Sequence, residues 1–217
     1  MNQGYEKWAS AYAELPRSLD GESVFIIGGG PSLRSFDPRD IEGRLAIVTN
    51  EAYAVFPEAH ALVFVDFHWW QRRREEVLAT FKGRIIGRGP YDWQYRKDGV
   101  TNVGYKTGQE WSDDGRVLGG KNSGLAAMNA AALMGAHRMF LLGFDCQQVG
   151  GRANYHRLHL AVEQKQNRYH DLFIPEFRKA ALRIESLGRP MVINCTPGTA
   201  LKCFPERSLE WVLQEYE

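Results

Sequence analysis

The stretch Val24-Phe25-Ile26-Ile27-Gly28-Gly29-Gly30-Pro31-Ser32 decides how the rest of the chain reads. Four apolar residues form a buried-strand pattern, and three glycines and a proline end it abruptly. Glycine allows positive φ and close approach of the backbone to a ligand. A strand that runs into such a loop at the carboxyl edge of an α/β sheet is a common seat for a nucleotide phosphate or ribose.

Further apolar runs follow the same plan. Leu45–Val48, Ala61–Val65, Arg84–Ile86, Arg138–Leu142 and Met191–Ile193 read as strands. Between them lie helical patterns: one turn at Asp37–Ile41, a helix over Phe67–Phe81, and one over Gly124–Gly135 with Asn122-Ser123 as its cap. One long helix over Glu163–Leu187, interrupted near Pro175, and a closing helix over Ser208–Tyr216 complete the pattern. Gly87–Gly119 lacks periodicity and reads as hairpins and loops. Strands separated by helices predict an α/β fold: a single Rossmann-like, doubly wound, mostly parallel sheet. No repeat or linker interrupts it, so residues 1–217 read as one nucleotide-binding domain, with Gly87–Gly119 and Gln147–Tyr169 as an excursion over the site.

Bulk composition sets bounds. The chain has 217 residues, 44% apolar and 24% charged, with net charge +1, so no global field selects nucleic acid or an anionic membrane. Cys146, Cys195 and Cys203 form no CxxC pair, which argues against a zinc site or a disulfide framework and for a reducing, cytoplasmic setting. No run approaches the roughly 20 apolar residues of a membrane span. Met1–Leu15 has no basic region ahead of an apolar core; it reads as a short amphipathic helix with Tyr5, Trp8, Tyr12 and Leu15 on one face.

Four strand ends carry polar groups: Gly28–Ser32, Asn50, Asp66 and Gly143–Asp145. Each alone reads as a turn or cap. In an open parallel sheet all four line one crevice, together with the helix start at Asn122-Ser123-Gly124. No GK[ST] follows the glycines, so this is not a P-loop, and Leu33 stands where a dinucleotide fingerprint needs its third glycine. Lys121-Asn122-Ser123-Gly124 is the better anion seat, since a helix start presents amides and the positive end of a dipole. His156 and His159, with Tyr155, follow the Asp145 strand end, and histidine titrates where an acid–base catalyst must. His60 and His137 read as structural. His68 lies beside Trp69 and Trp70. Arg72-Arg73-Arg74 reads as a solvated helix face. Trp69, Trp70, Trp93, Tyr95 and Trp111 gather around the irregular region, where rings pack or stack on sugars and bases.

The ordered set I-I-G-G-G-P-S-L, Thr49-Asn50, Asn122-Ser123-Gly124 and Leu141-Leu142-Gly143-Phe144-Asp145, closed by Asn194-Cys195-Thr196-Pro197-Gly198-Thr199, resembles bacterial sialyltransferases that use CMP-sialic acid. It also resembles their relatives, the motility accessory factor and 6-hydroxymethylpterin diphosphokinase-like proteins, including phage-encoded ones. The resemblance runs from about Val24 to Pro205. It implies a metal-independent transferase with a nucleotide-sugar donor. By that likeness Gly29, Gly30 and Ser32 face donor phosphate and ribose, Asn50 holds the nucleotide, Ser123 and Gly124 contact phosphate or sugar, and Gly143 and Asp145 contact ribose or base. Tyr155-His156 matches a lid with phosphate-binding tyrosines and a histidine base. Asp66 departs from the asparagine usual there, and a carboxylate beside a phosphate invites a cation.

The leading expectation is therefore a glycosyltransferase that needs no cofactor, with a nucleotide sugar as donor and a glycan, a protein or a modified nucleobase of phage DNA as acceptor. A Mg²⁺-dependent diphosphokinase with Asp66 and Asp145 as ligands is the alternative. A non-catalytic nucleotide-binding module is the third. A homo-oligomer is left open.

Overall fold

The computed structural model describes residues 12–156 and 168–216. Its strands are β1 (Ser23–Ile27), β2 (Ala46–Thr49), β3 (Ala61–Phe64), β4 (Arg84–Arg88), β5 (Thr101–Val103), β6 (Arg138–Leu142) and β7 (Met191–Asn194). Its helices are α1 (Phe67–Thr80), α2 (Asp92–Lys97), α3 (Ser123–Leu133), α4 (Ile174–Leu187) and α5 (Leu209–Glu215). The strands form one sheet in the order β5-β4-β3-β2-β1-β6-β7, and every pairing is parallel. The chain walks outward from β1 to β5, then returns across β1 to build β6 and β7. The reversal of direction falls between β1 and β6, where an open α/β sheet leaves a crevice beyond its carboxyl ends.

Strand alternation sorts the core into two layers, because successive side chains point to opposite faces. Val24, Ile26, Ile47, Val63 and Ile86 pack with α3 and with Phe177, Ala180 and Ile184 of α4. Phe25, Ile27, Val48, Leu62 and Phe64 pack with Trp69, Trp70 and Val77 of α1, Tyr95 of α2 and Val212 of α5. Helix α3 is buried nearly all round, which its run of alanines permits by letting it lie close to the sheet. Trp69, Trp70, Tyr95 and Trp111 belong to these layers, whereas Trp93 is 76% exposed.

Three segments differ from the sequence reading. Gly87–Gly119 holds no hairpin: it forms α2 and then β5, which adds in parallel to β4. Three residues are too few to show a period, so β5 is invisible to pattern reading. Residues 1–11 of the expected amphipathic helix lie outside the described residues. Its last part, Tyr12–Leu15, is not helical; Ala13 N donates to Asn102 O at 2.8 Å and Leu15 N to Gly115 O at 2.9 Å. The expected Glu163–Leu187 helix begins outside the described residues. Its described part runs through a π turn at Tyr169–Phe173 directly into α4, so the helix continues past Pro175 with a local widening instead of a break. The turn expected at Asp37–Ile41 is a 3₁₀ turn over Pro38–Ile41, capped by the Asp37 carboxylate accepting from Arg39 N.

Candidate functional site

The glycine loop leaves β1 and crosses directly over the loop that leaves β6. Gly28 N donates to Leu142 O and Gly30 N to Gly143 O, both at 2.8 Å. A Cβ on Gly28 would lie 2.6 Å from Gly143 O; one on Gly30 would lie 1.9 Å from Asp145 Oδ2. Gly30 itself has φ −72°. These two glycines are therefore required by the crossing of two loops, not by positive φ. The left-handed positions are elsewhere, at Gly143 (φ 71°), Asn50 (φ 46°) and Cys146 (φ 49°). Two non-glycine residues in that region, beyond the ends of β2 and β6 on either side of β1, hold strain of a kind that gathers at binding sites.

Beyond the crossing the strand ends meet. Asn50 follows β2, and its Oδ1 accepts from Ser123 Oγ at 3.1 Å, joining the β2 end to the start of α3. Asn122 Oδ1 accepts from Leu125 N at 2.9 Å as the cap of that helix. Gly124 leaves room for Phe144, whose ring would lie 2.9 Å from a Cβ there. Asp66 follows β3 and caps α1 by accepting from His68 N at 2.9 Å. Arg88 ends β4. These groups surround a cleft of about 910 Å³, within the size range of ligand sites. The excursion after β6 closes one side: Tyr155 N donates to Gly29 O at 3.2 Å, and Tyr155 Oη donates to the Glu51 carbonyl. Asn154 and His156 reach the cleft from this segment, and Arg168, Tyr169 and Phe177 form the far wall.

Of the residues singled out from sequence, Gly28, Gly29, Gly30, Asn50, Asp66, Asn122, Ser123, Gly124, Gly143 and His156 line the cleft. Three of the expected residues do not line this cleft. Asp145 is 1% exposed and turned inward, where Ser32 N and Ser32 Oγ donate to it at 3.1 and 2.8 Å. Ser32 lies on the other side of that wall and lines a second cavity of about 550 Å³. The Tyr155 hydroxyl is spent on the Glu51 carbonyl, so the ring acts as a latch for the excursion. Residue 159 lies outside the described residues. The Thr196–Thr199 signature also works from behind the cleft: Phe144 N donates to Thr196 Oγ1 at 2.9 Å, and Thr199 Oγ1 donates to Phe144 O at 2.6 Å.

Burial pushes the Asp145 carboxyl above its ordinary value, against the two bonds from Ser32. The folded state therefore favours the protonated form. The carboxylate costs stability at neutral pH, and that cost is relieved as pH falls through the raised value toward the ordinary 3.8. Asp145→Asn keeps an acceptor for Ser32 N and removes the charge. Urea denaturation should find its stability relative to the parent most favourable at pH 7 and shrinking toward pH 4. A pH-independent difference would refute the assignment.

Sequence reading missed several lining residues. Arg88 carried the same signal as the other strand ends, a polar residue after an apolar run. Arg72, exposed on its helix face, also lines the cleft, as does Arg168, and Lys121 of the expected anion seat lies beside them. The acids there are engaged: Glu51 Oε1 accepts from Trp69 Nε1 and Arg73 Nε, each at 3.0 Å, and Asp66 caps α1. Lys121 is paired with buried Glu176 of α4 at 3.1 Å. The balance is cationic and faces a helix start, which suits a polyanion. Cys146 is buried at the edge, which pushes its thiol up to about 12 and keeps it protonated at neutral pH. Among the described residues, no group of three or more His, Cys, Asp or Glu side chains is placed to hold a metal, and no helix is long and apolar enough to cross a membrane. No protein-family model matches the chain, and no curated protein matches it.

Proposed function

We propose that the cleft binds a nucleotide sugar and that the protein transfers the sugar to an acceptor hydroxyl. The observation that carries this reading is the meeting of the β1, β2, β3 and β6 ends with the start of α3 around one cationic cavity. The α3 amides, Ser123 and the neighbouring cations suit the nucleotide's phosphate. They would stabilise it as it leaves, when the bond from the sugar's anomeric carbon to phosphate oxygen breaks. His156, the described histidine of the excursion that lines the cleft, would take the proton from the acceptor oxygen as that oxygen bonds to the anomeric carbon. The acceptor is a hydroxyl on a glycan, a protein or a modified nucleobase.

A diphosphokinase with Asp66 and Asp145 sharing Mg²⁺ has less support, since Asp66 lines the cleft and Asp145 is buried behind Ser32. A thermal-shift and hydrolysis panel of CMP-, UDP-, GDP- and ADP-sugars tests the proposal. One donor should raise the melting temperature and be hydrolysed, with EDTA present or absent. His156→Gln should keep that thermal shift and lose turnover by about 100-fold or more. Stabilisation by a nucleotide with no turnover in any arm would favour a binding module. ATP turnover that vanishes with EDTA, with no nucleotide sugar turned over, would favour the diphosphokinase.

A further inference from the structure

We propose that Arg88 is a built subsite for an oxyanion, a phosphate or carboxylate of the molecule that occupies the cleft. Arg88 ends β4 and is only 8% exposed, yet it lines the cavity. Its Nη1 donates to the carbonyls of Gly119, at 3.3 Å, and Gly120. Its guanidinium lies 4.1 Å from the centre of the Tyr105 ring. These contacts fix the plane of the group without neutralising it. No carboxylate among the described residues forms an ion pair with it. Glu176, whose Oε2 accepts from Lys121 N and whose Oε1 lies 3.1 Å from Lys121 Nζ, acts on Arg88 across space without an ion pair. Asp66, at the next strand end, is committed to the cap of α1.

A buried cation without an anion is costly, and proteins pair such groups. Desolvation lowers the Arg88 pKa to about 10, so the charge persists at neutral pH. The Nε–H and Nη2–H edge of the guanidinium donates to no described group. That edge is the fork that grips a carboxylate or phosphate with two parallel bonds. The missing counter-ion is thus supplied by the ligand. Since Gly120 lies three residues ahead of Ser123, the fork stands beside the α3 start, and an oxyanion there would be shared with, or adjacent to, the one held by the helix amides.

The subsite rests on the cleft being a ligand site and not on sugar transfer. The test uses the full chain, labelled with ¹⁵N-arginine, and two probes at constant ionic strength: inorganic pyrophosphate for a nucleotide's phosphates, and glucuronate for a sugar or acceptor carboxylate. The Arg88 Nε–H resonance, assigned by its loss in Arg88→Lys, should shift on saturation with one probe, and that probe names the source. Arg88→Lys keeps the charge and loses the fork, and should weaken the same probe at least tenfold while its melting curve stays cooperative. If Arg88→Lys does not fold, Arg88→Gln, whose amide can still donate toward the Gly119 and Gly120 carbonyls, supplies both the assignment and the loss of affinity. A resonance that neither probe moves overturns the proposal, even if a nucleotide sugar is turned over. A shift without any turnover leaves the subsite standing and removes sugar transfer alone.

Discussion

Gly30→Ala should cost about 3–5 kcal/mol of stability, while Gly29→Ala, one residue away, should cost less than about 0.5 kcal/mol. The new methyl at position 30 would meet Asp145 Oδ2 at 1.9 Å and Gly143 O at 2.6 Å. Neither can yield cheaply. Asp145 is held by two bonds from Ser32, and the Gly143 carbonyl accepts from Gly30 N itself. Relief requires the β1 loop to lift off the β6 loop, which opens the wall between the two cavities. At position 29 the nearest atom is Asn154 Oδ1 at 3.8 Å, an ordinary contact. Gly29 lines the cleft, so its methyl should leave the fold intact and lower the affinity for a ligand phosphate. Urea denaturation separates the two. A melting temperature for Gly30→Ala within 2 °C of the parent would show that the loops do not cross as described, since about 2–4 °C per kcal/mol is expected at this chain length.

That contrast shows what the sequence could tell and what it could not. The letters G-G-G announce a sharp exit from a strand, and the strand ends at Asn50, Asp66 and Gly143 announce a common edge. Alternation of apolar runs with helical patterns was enough to predict a parallel sheet, because only crossover connections join parallel strands. The purpose of each glycine was not legible. Gly28 and Gly30 line the cleft as expected, but the close approach that requires them is to the Gly143–Asp145 loop; Gly124 makes room for Phe144, far away in sequence. The resemblance implied a ribose or base contact for Asp145, and its place after a strand put it at the crevice. Its partner, Ser32, is 113 residues away, and nothing local shows that the two face each other. Arg88 was passed over because β5 was not seen. Its bonds run to Gly119 and Gly120, 31 and 32 residues on in a segment without periodicity, so nothing local announced them.

Asn129 was passed over for a different reason, and it supports the second large effect. It sits in the run Leu125–Leu133 of α3, a helix so rich in alanine that one amide reads as incidental. Its side chain is fully buried. Oδ1 accepts from Ser112 N at 3.1 Å and Gly119 N at 2.8 Å, and Nδ2 donates to Ser112 O at 2.9 Å. Three backbone groups of an irregular segment thus depend on one side chain. Asn129→Ala should lose about 3–5 kcal/mol, since each buried polar group left unpaired costs about 1–3 kcal/mol and a water entering the vacated space recovers part. Melting should fall by roughly 10 °C. Asn129→Asp restores both acceptor bonds and buries a charge beside Ser112 O. Its pKa should therefore be raised, and its stability should recover as pH falls, when the protonated carboxyl can donate to Ser112 O. The loss should reach the cleft, because the segment continues through Gly120, whose carbonyl holds Arg88, to Lys121 and the α3 cap. Asn129→Ala should therefore weaken pyrophosphate binding as well as lower the melting temperature. Unchanged binding would mean that the α3 start is positioned by Glu176 and Asn50 alone.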